Sequence, residues 1–333
     1  MDIKSTIETV KGFPKEIAEI ARELNNAKKI IIFGHKNPDM DCIGSQVSLA
    51  LAMRERGKEV IIYSNGPFHS YMADYEKLYT NKVENIDDID LFVVVDTSSL
   101  NRIDVDFELP FEKVIVLDHH VTNENFGKVN YIDSDLISAT EIIFMLLVYM
   151  DYSFEKNKTV VQILLDGILS DNGYYKHIRT DKYMSLIFTY LLISKGANPK
   201  ETYDKMYVNN NIAEIKLLGK ILDRIESLKG DQIIYTYQTD NDENENGVQV
   251  SSALLFQQMT SIKTGKIFLY FKVNTAENKV IVSMRCSPEY DIGSICNIFG
   301  GGGHKVAAGA TISGDYETVK KKVLDKILEI YFS

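Results

Sequence analysis

Three apolar runs in this sequence end in side chains of the same kind. KKIIIFG leads into HKNPDMD, giving His35, Asn37, Asp39 and Asp41; LFVVV runs into Asp96; KVIVL runs into Asp118, His119 and His120. A fourth stretch, VVQILLDGILSDNG, ends in Asp171 beside Gly173. Carboxylates and imidazoles without thiolates form an oxygen- and nitrogen-rich donor set, which favours Mn²⁺ or Mg²⁺ over structural zinc. So many carboxylates gathered together repel strongly unless cations lie among them. Two divalent ions about 3.5–4 Å apart, sharing one carboxylate, would relieve that repulsion and form a clamp for phosphoryl transfer. A bound water would become hydroxide and attack phosphorus in line, with both ions stabilising the developing charge.

For these residues to meet, the runs that carry them must be neighbouring strands. Residues 28–34, 59–63, 91–95 and 113–117 are rich in Ile and Val with no polar alternation, as strands buried on both faces of a parallel sheet are. Helical patterns over 42–56, 138–150 and 158–170 alternate with them, which predicts a doubly wound, mainly parallel α/β domain. Ligands of such sheets bind at the carboxyl ends of the strands, where the His and Asp residues fall.

The run SKGANP (194–199) breaks the pattern, and helical segments over 200–208 and 211–227 follow as a connecting hairpin. Strand-like runs at 232–238, 266–273 and 279–285, a helical stretch near 248–260 and a final helix over 315–331 predict a second, smaller α/β domain. TDNDENENG (239–247) reads as a solvated acidic turn. The expected organisation is a catalytic domain over 1–195, a helical linker over 196–229 and a substrate-binding domain over 230–333, with the active-site cleft between the two domains.

Composition narrows the function. The chain has 333 residues, 45% of them apolar and 25% charged, which excludes a disordered tail, a fibre and a coiled coil. Its 47 acidic and 37 basic side chains leave a net charge of -10, which disfavours coating long nucleic acid. Cys42, Cys286 and Cys296 are far apart and form no C-x-x-C, so neither a disulfide scaffold nor a cysteine zinc site is expected. No apolar stretch approaches the ~20 residues needed to span a bilayer, and the N-terminus lacks a signal-peptide pattern, so a cytoplasmic protein is expected. His69 reads as surface or filler. Tyr174, His177 and Arg179, in NGYYKHIRT, could approach a substrate, although such residues more often pack or face solvent.

HKNPDMD, VVVD, DHH and SDNG, in this order, resemble the four motifs of the DHH phosphoesterase superfamily, and GGGGHKVAAGA (300–310) with SMRC (283–286) resembles the DHH-associated domain. Size and domain pairing are similar to the NrnA- or DhhP-like oligoribonucleotide and dinucleotide phosphodiesterases. The resemblance implies that His35 and Asp39 hold a first metal, that Asp41, His119 and Asp171 hold a second, and that Asp96 bridges them. It implies that Asp118 orients the neighbouring histidine and that His120 faces the substrate phosphate. In the second domain it implies that Arg285, Gly302, Gly303 and His304 bind substrate, since residues without Cβ let backbone N–H groups approach a phosphate. Met40 and Cys42 depart from the glycine and alanine usual in the family; neither replaces a ligand.

The expected activity is Mn²⁺-dependent (or Mg²⁺-dependent) hydrolysis of very short oligoribonucleotides or linear dinucleotides such as pApA and pGpG, extending to cyclic dinucleotides or 3′-phosphoadenosine 5′-phosphate. Partners are that substrate, with no long duplex and no membrane; homo-oligomerisation stays open. Alternatives are an inorganic pyrophosphatase of the same superfamily, a single-strand exonuclease and a non-catalytic nucleotide sensor. The pyrophosphatase needs a strongly basic pocket, where this sequence offers GGGGHK and Arg285.

Overall fold

KIIIF forms strand β1 (Lys29–Phe33), and its side chains alternate between two cores. Ile30 and Ile32 join one, Ile31 and Phe33 the other on the opposite face of the sheet. This double burial explains why the strand carries no polar alternation. In the computed structural model, which describes residues 2–332 except 69–71, 104, 106, 177, 179, 209, 243–246 and 249 (and only the backbone at 304), the chain forms two compact units, Met1–Asn209 and Asn210–Ser333. His69, His177 and Arg179 lie outside the described residues.

In the first unit, helices α1 (Ile3–Val10) and α2 (Lys15–Asn26) precede β1, and α3 (Met40–Glu55) follows it. Then come β2 (Glu59–Tyr63), α4 (Ala73–Glu76), β3 (Tyr79–Thr80), β4 (Leu91–Val95), β5 (Val114–Asp118) and β6 (Val129–Ile132). Helices α5 (Ala139–Tyr149), α6 (Lys158–Asp171), α7 (Met184–Ser194) and α8 (Pro199–Tyr207) complete it. The strand order is β3-β2-β1-β4-β5-β6, parallel throughout. The direction of winding reverses between β1 and β4, so a crevice opens at their carboxyl ends. Helices α3 and α6 approach closely through two glycines: a Cβ on Gly44 would lie 3.0 Å from the Gly167 Cα. That approach brings Asp41, near the start of α3, toward Asp171, at the end of α6.

The second unit contains α9 (Ile212–Asp223), β7 (Glu226–Leu228), β8 (Ile233–Thr239), α10 (Ser252–Met259), β9 (Ile267–Asn274), β10 (Lys279–Cys286), α11 (Ile292–Ile298), β11 (Gly302–His304), β12 (Ala307–Ser313) and α12 (Tyr316–Tyr331). Its sheet runs β11-β12-β10-β9-β8-β7, with β8 and β9 parallel and the other pairs antiparallel.

The 196–229 stretch is divided between the units. Thr202 and Lys205 of α8 bind Asp166, a buried carboxylate of α6, whereas Leu217, Leu218 and Ile221 of α9 pack with Ile234 and Phe268 of the second sheet. The helical pattern expected over 211–227 ends at Asp223, because Glu226–Leu228 pairs with β8 as an edge strand. The acidic stretch 239–247, expected as a solvated turn, is otherwise at Asp242. That residue is buried, and Arg224 donates to its two oxygens at 2.6 and 2.9 Å while Lys220 Nζ lies at 2.8 Å. Among the described residues no helix is long and apolar enough to cross a membrane.

Candidate metal centre

Backbone groups hold His35, Asp39 and Asp41 of the first unit. Asp39 is the N-cap of α3, and its Oδ1 accepts from the Cys42 N–H at 3.0 Å, leaving Oδ2 turned to His35. His35 Nδ1 lies 2.9 Å from the Lys36 carbonyl, the geometry of a donated hydrogen bond. That bond fixes the tautomer and leaves Nε2 as a ligand atom. Asp96 follows β4 with a positive φ of 51°. A non-glycine residue in that region costs of order 1–3 kcal/mol, a strain that clusters at functional sites. Asp41 is fully buried, and its carboxylate accepts from the N–H groups of Ala139 and Thr140, each at 2.8 Å. It thus sits at the positive end of α5.

These side chains converge. Asp96 Oδ2 lies 3.3 Å from His35 Nε2, and Asp96 Oδ1 lies 3.5 Å from His119 Nε2. His35 Nε2 is also 3.7 Å from Asp39 Oδ2. His119 Nε2 is 3.5 Å from Asp171 Oδ2 and 3.8 Å from Asp41 Oδ2. The result is two nests of donors with the Asp96 carboxylate between them. Asp41, His119 and Asp171 each offer a ligand atom within 4.8 Å of the others, as do His35, Cys42 and Asp96.

Charge accounts for the protonation this cluster requires. Burial alone would lower His35, but hydrogen bonds to Asp39 and Asp96 outweigh it and hold the imidazole up to about 11. His119 is held up to about 10, burial again being outweighed by Asp96, Asp41 and Asp171. Burial acts to raise Asp96, yet the bonds from His119 and His35 take it below the ordinary carboxylate range. Asp41 and Asp171 are raised well above that range, first by burial and then by neighbouring carboxylates. The cluster therefore demands positive charge. A donor set of carboxylates and imidazoles shared across one central carboxylate fits two divalent cations.

Asp118 and His120 stand beside the nests. Asp118 is buried, and its Oδ1 lies 2.7 Å from His120 Nδ1 and accepts from the His119 N–H at 2.8 Å. The imidazole that Asp118 orients is therefore that of His120, while His119 is held through its backbone. Sequence reasoning does not single out Asn123, whose Nδ2 donates to Asp118 Oδ2 at 2.6 Å and to the Thr97 carbonyl at 3.0 Å. Nor does it single out the α5 N-terminus as the support of Asp41. A signal for the latter exists in Ser138 and Glu141, spaced as a capping box, in which Ser138 Oγ accepts from the Glu141 N–H and Glu141 accepts from the Ile137 N–H.

Two family descriptions match this chain: the DHH family N-terminal domain over residues 29–170, and the DHHA1 domain over residues 255–331. The chain belongs to the DHH phosphoesterase family. Proteins of Thermus thermophilus and Bacillus subtilis named bifunctional oligoribonuclease and PAP phosphatase NrnA are 25% and 23% identical to it, over 94% and 88% of this chain and 93% and 92% of theirs. An exopolyphosphatase-related protein from Bacteroides fragilis shares the fold, with a TM-score of 0.84 at 22% identity over 95% of this chain and 96% of that one.

Within the DHH domain, Met40 and Cys42 are both buried. Burial pushes the Cys42 thiol well above its ordinary value, and Sγ fills the space where a Cβ on Gly34 would stand, 2.1 Å away. In the DHHA1 domain, register places residues 285, 307 and 304 in one row across β10, β12 and β11. The Arg285 guanidinium lies 4.8 Å from the centre of the Phe256 ring, and Nη1 donates to the Met284 carbonyl. Gly303 has φ 140°, and a Cβ there would meet the Ala307 carbonyl oxygen at 2.6 Å; a Cβ on Gly302 would meet only Asn297 Oδ1, at 3.7 Å. Strand pairing thus accounts for the glycine at 303, whereas the space beside Gly302 would admit a methyl group. The side chain of His304 lies outside the described set.

Proposed function

We propose that this chain is a cytoplasmic, Mn²⁺-dependent phosphodiesterase that hydrolyses very short oligoribonucleotides or linear dinucleotides, of the pApA or pGpG kind, to mononucleotides. We include 3′-phosphoadenosine 5′-phosphate as a further substrate. The observation that carries this reading is the Asp96 carboxylate, with one oxygen toward His35 and the other toward His119. The near full-length NrnA relatives support the substrate class, and the net charge of -10 speaks against long nucleic acid.

In this reading His35 and Asp39 would hold one cation, Asp41, His119 and Asp171 would hold the other, and Asp96 would serve both. Bound there, the cations would supply a hydroxide nucleophile and charge stabilisation at phosphorus. The chain's own groups do the rest. With the proton of His120 held on Nδ1 by Asp118, Nε2 would be the atom that accepts or returns a proton at the reacting phosphate. Asn123 holds Asp118 in place. Arg285 and the N–H groups of Gly302 and Gly303 would bind the substrate's other phosphate, together with His304.

The test is a substrate panel with Mn²⁺ supplied: pApA, pGpG, longer RNAs, 3′-phosphoadenosine 5′-phosphate, cyclic di-AMP and pyrophosphate. Dinucleotides should be cleaved fastest, with activity dropping beyond a few nucleotides. Pyrophosphate as the preferred substrate would overturn the reading.

A further inference from the structure

One residue beyond Asp171 the backbone takes three consecutive residues through positive φ: Gly173 at 58°, Tyr174 at 55° and Tyr175 at 72°. Glycine adopts this freely, but bulky residues there are outliers. Such strain persists only where the surroundings impose it. Here the surroundings are a cluster of tyrosines. The Tyr174 hydroxyl donates to the Pro199 carbonyl, and its ring stands nearly perpendicular to that of Tyr203, with centroids 5.4 Å apart. Tyr175 packs against Tyr174 at 6.2 Å, and Tyr207 against Tyr203 at 5.1 Å.

The inner ring is packed but the outer ones are open: Tyr175 is 36% exposed and Tyr203 44%. Asn172, between Asp171 and the turn, is fully buried; its Oδ1 accepts from the Tyr175 N–H, and its Nδ2 has no partner among the described residues. Four Cα-to-Cα steps separate Asp171 from Tyr175, which limits their separation to about 14 Å. The strained turn thus leaves the Tyr175 ring open to solvent within about 14 Å of Asp171.

We propose that Tyr175 and Tyr203 form a platform on which a nucleobase of the substrate stacks, an inference that rests on the nucleotide reading above. Base stacking on aromatic rings tolerates any base, since every base has a π-face. The platform therefore selects nucleotides over other phosphoesters without selecting a sequence.

The test is calorimetric binding of AMP and of ribose 5-phosphate, which has the same phosphate and no base, to the full chain with Mn²⁺. AMP should bind roughly tenfold tighter or more in the wild type. That preference should collapse toward one in Tyr203→Ala and in Tyr175→Gly, which keeps the positive φ without a side chain, and should survive in Tyr203→Phe. Thermal melts of each variant separate lost folding from lost binding, and Tyr203→Phe supplies the folded reference. No preference in the wild type, or an undiminished one in both ring-deleting variants, overturns the platform. Cleavage of pApA, assayed in parallel, judges the phosphodiesterase reading alone, because base preference in binding is measured whether or not the diester is cut.

Discussion

The carboxylate of Asp41 accepts from the backbone N–H of Thr140 at 2.8 Å, while the Thr140 hydroxyl donates to the Asp41 carbonyl at 3.0 Å. One residue at the start of α3 and another at the start of α5 thus hold each other through two reciprocal bonds in the core. The helix end stabilises the carboxylate's charge, and the bonds fix its direction toward His119. Thr140→Val keeps the shape and the N–H but removes the hydroxyl. A loss of about 1 kcal/mol in stability is expected from the lost hydroxyl bonds to the Asp41 carbonyl and to Ser45 Oγ, together with weaker metal binding. Chemical denaturation and metal titration check the two effects separately.

Asp96 stands between the nests, so its removal should act on both cations at once. Asp96→Ala should reduce turnover by at least about 10³-fold, roughly 4 kcal/mol of transition-state stabilisation. Metal stoichiometry by calorimetry should fall below two, while the thermal transition of the cation-free protein changes little. Full activity in this variant with added Mn²⁺ would refute the shared-carboxylate assignment.

His120 depends on a relay, from Asn123 to Asp118 to Nδ1. Asp118→Asn and Asn123→Ala should each lower kcat by about 10–100-fold with a much smaller change in KM, since orientation is lost and binding is not. Unchanged kcat in both variants would leave His120 without a role in the reaction.

Sequence made the centre legible because its residues sit at the ends of uninterrupted apolar strands. β1, β4 and β5 are buried on both faces, and nothing but parallel packing suits such runs. β6 (VNYI) and β12 (AAGATIS) are hidden to the same reasoning: β6 is an edge strand with alternating burial, and Ala and Gly have little preference for strands until β10 pairs with them. Asn123 and Asp242 escape for another reason. Their roles come from partners brought near by tertiary contacts, Asp118 and Arg224, and no local pattern records those.

Asp242 gives the fold a pH dependence. The bonds from Arg224, opposed by burial and aided by Lys220, hold its carboxyl below the ordinary carboxylate range. A depressed folded pKa means that the stabilisation is complete above the unfolded value of about 3.9 and is lost as pH falls through the folded one. Asp242→Asn should therefore cost about 1–2 kcal/mol at pH 7, where Arg224 and Lys220 lose the charged acceptor they bind, and progressively less as pH drops below about 4. Unfolding curves at pH 7 and pH 3 for both proteins measure this. An equal penalty at the two pH values would contradict the ion-pair account.

Gly302 and Gly303 are adjacent yet should respond oppositely to alanine. At Gly303 a methyl group would meet the Ala307 carbonyl oxygen at 2.6 Å with the backbone at φ 140°. Both clash and strain oppose it, so Gly303→Ala should lower stability by about 2 kcal/mol or more and loosen β11 from β12. At Gly302 the nearest atom would be 3.7 Å away, so Gly302→Ala should melt as the wild type does. Its effect on activity then reads the phosphate grip without interference from folding. If the N–H groups of β11 bind a substrate phosphate, the new methyl group keeps that phosphate at a distance, and KM should rise by about tenfold with kcat nearly unchanged. Steady-state kinetics on a dinucleotide, beside thermal melts of both variants, decides it: a wild-type KM in Gly302→Ala would take the backbone of β11 out of the binding site.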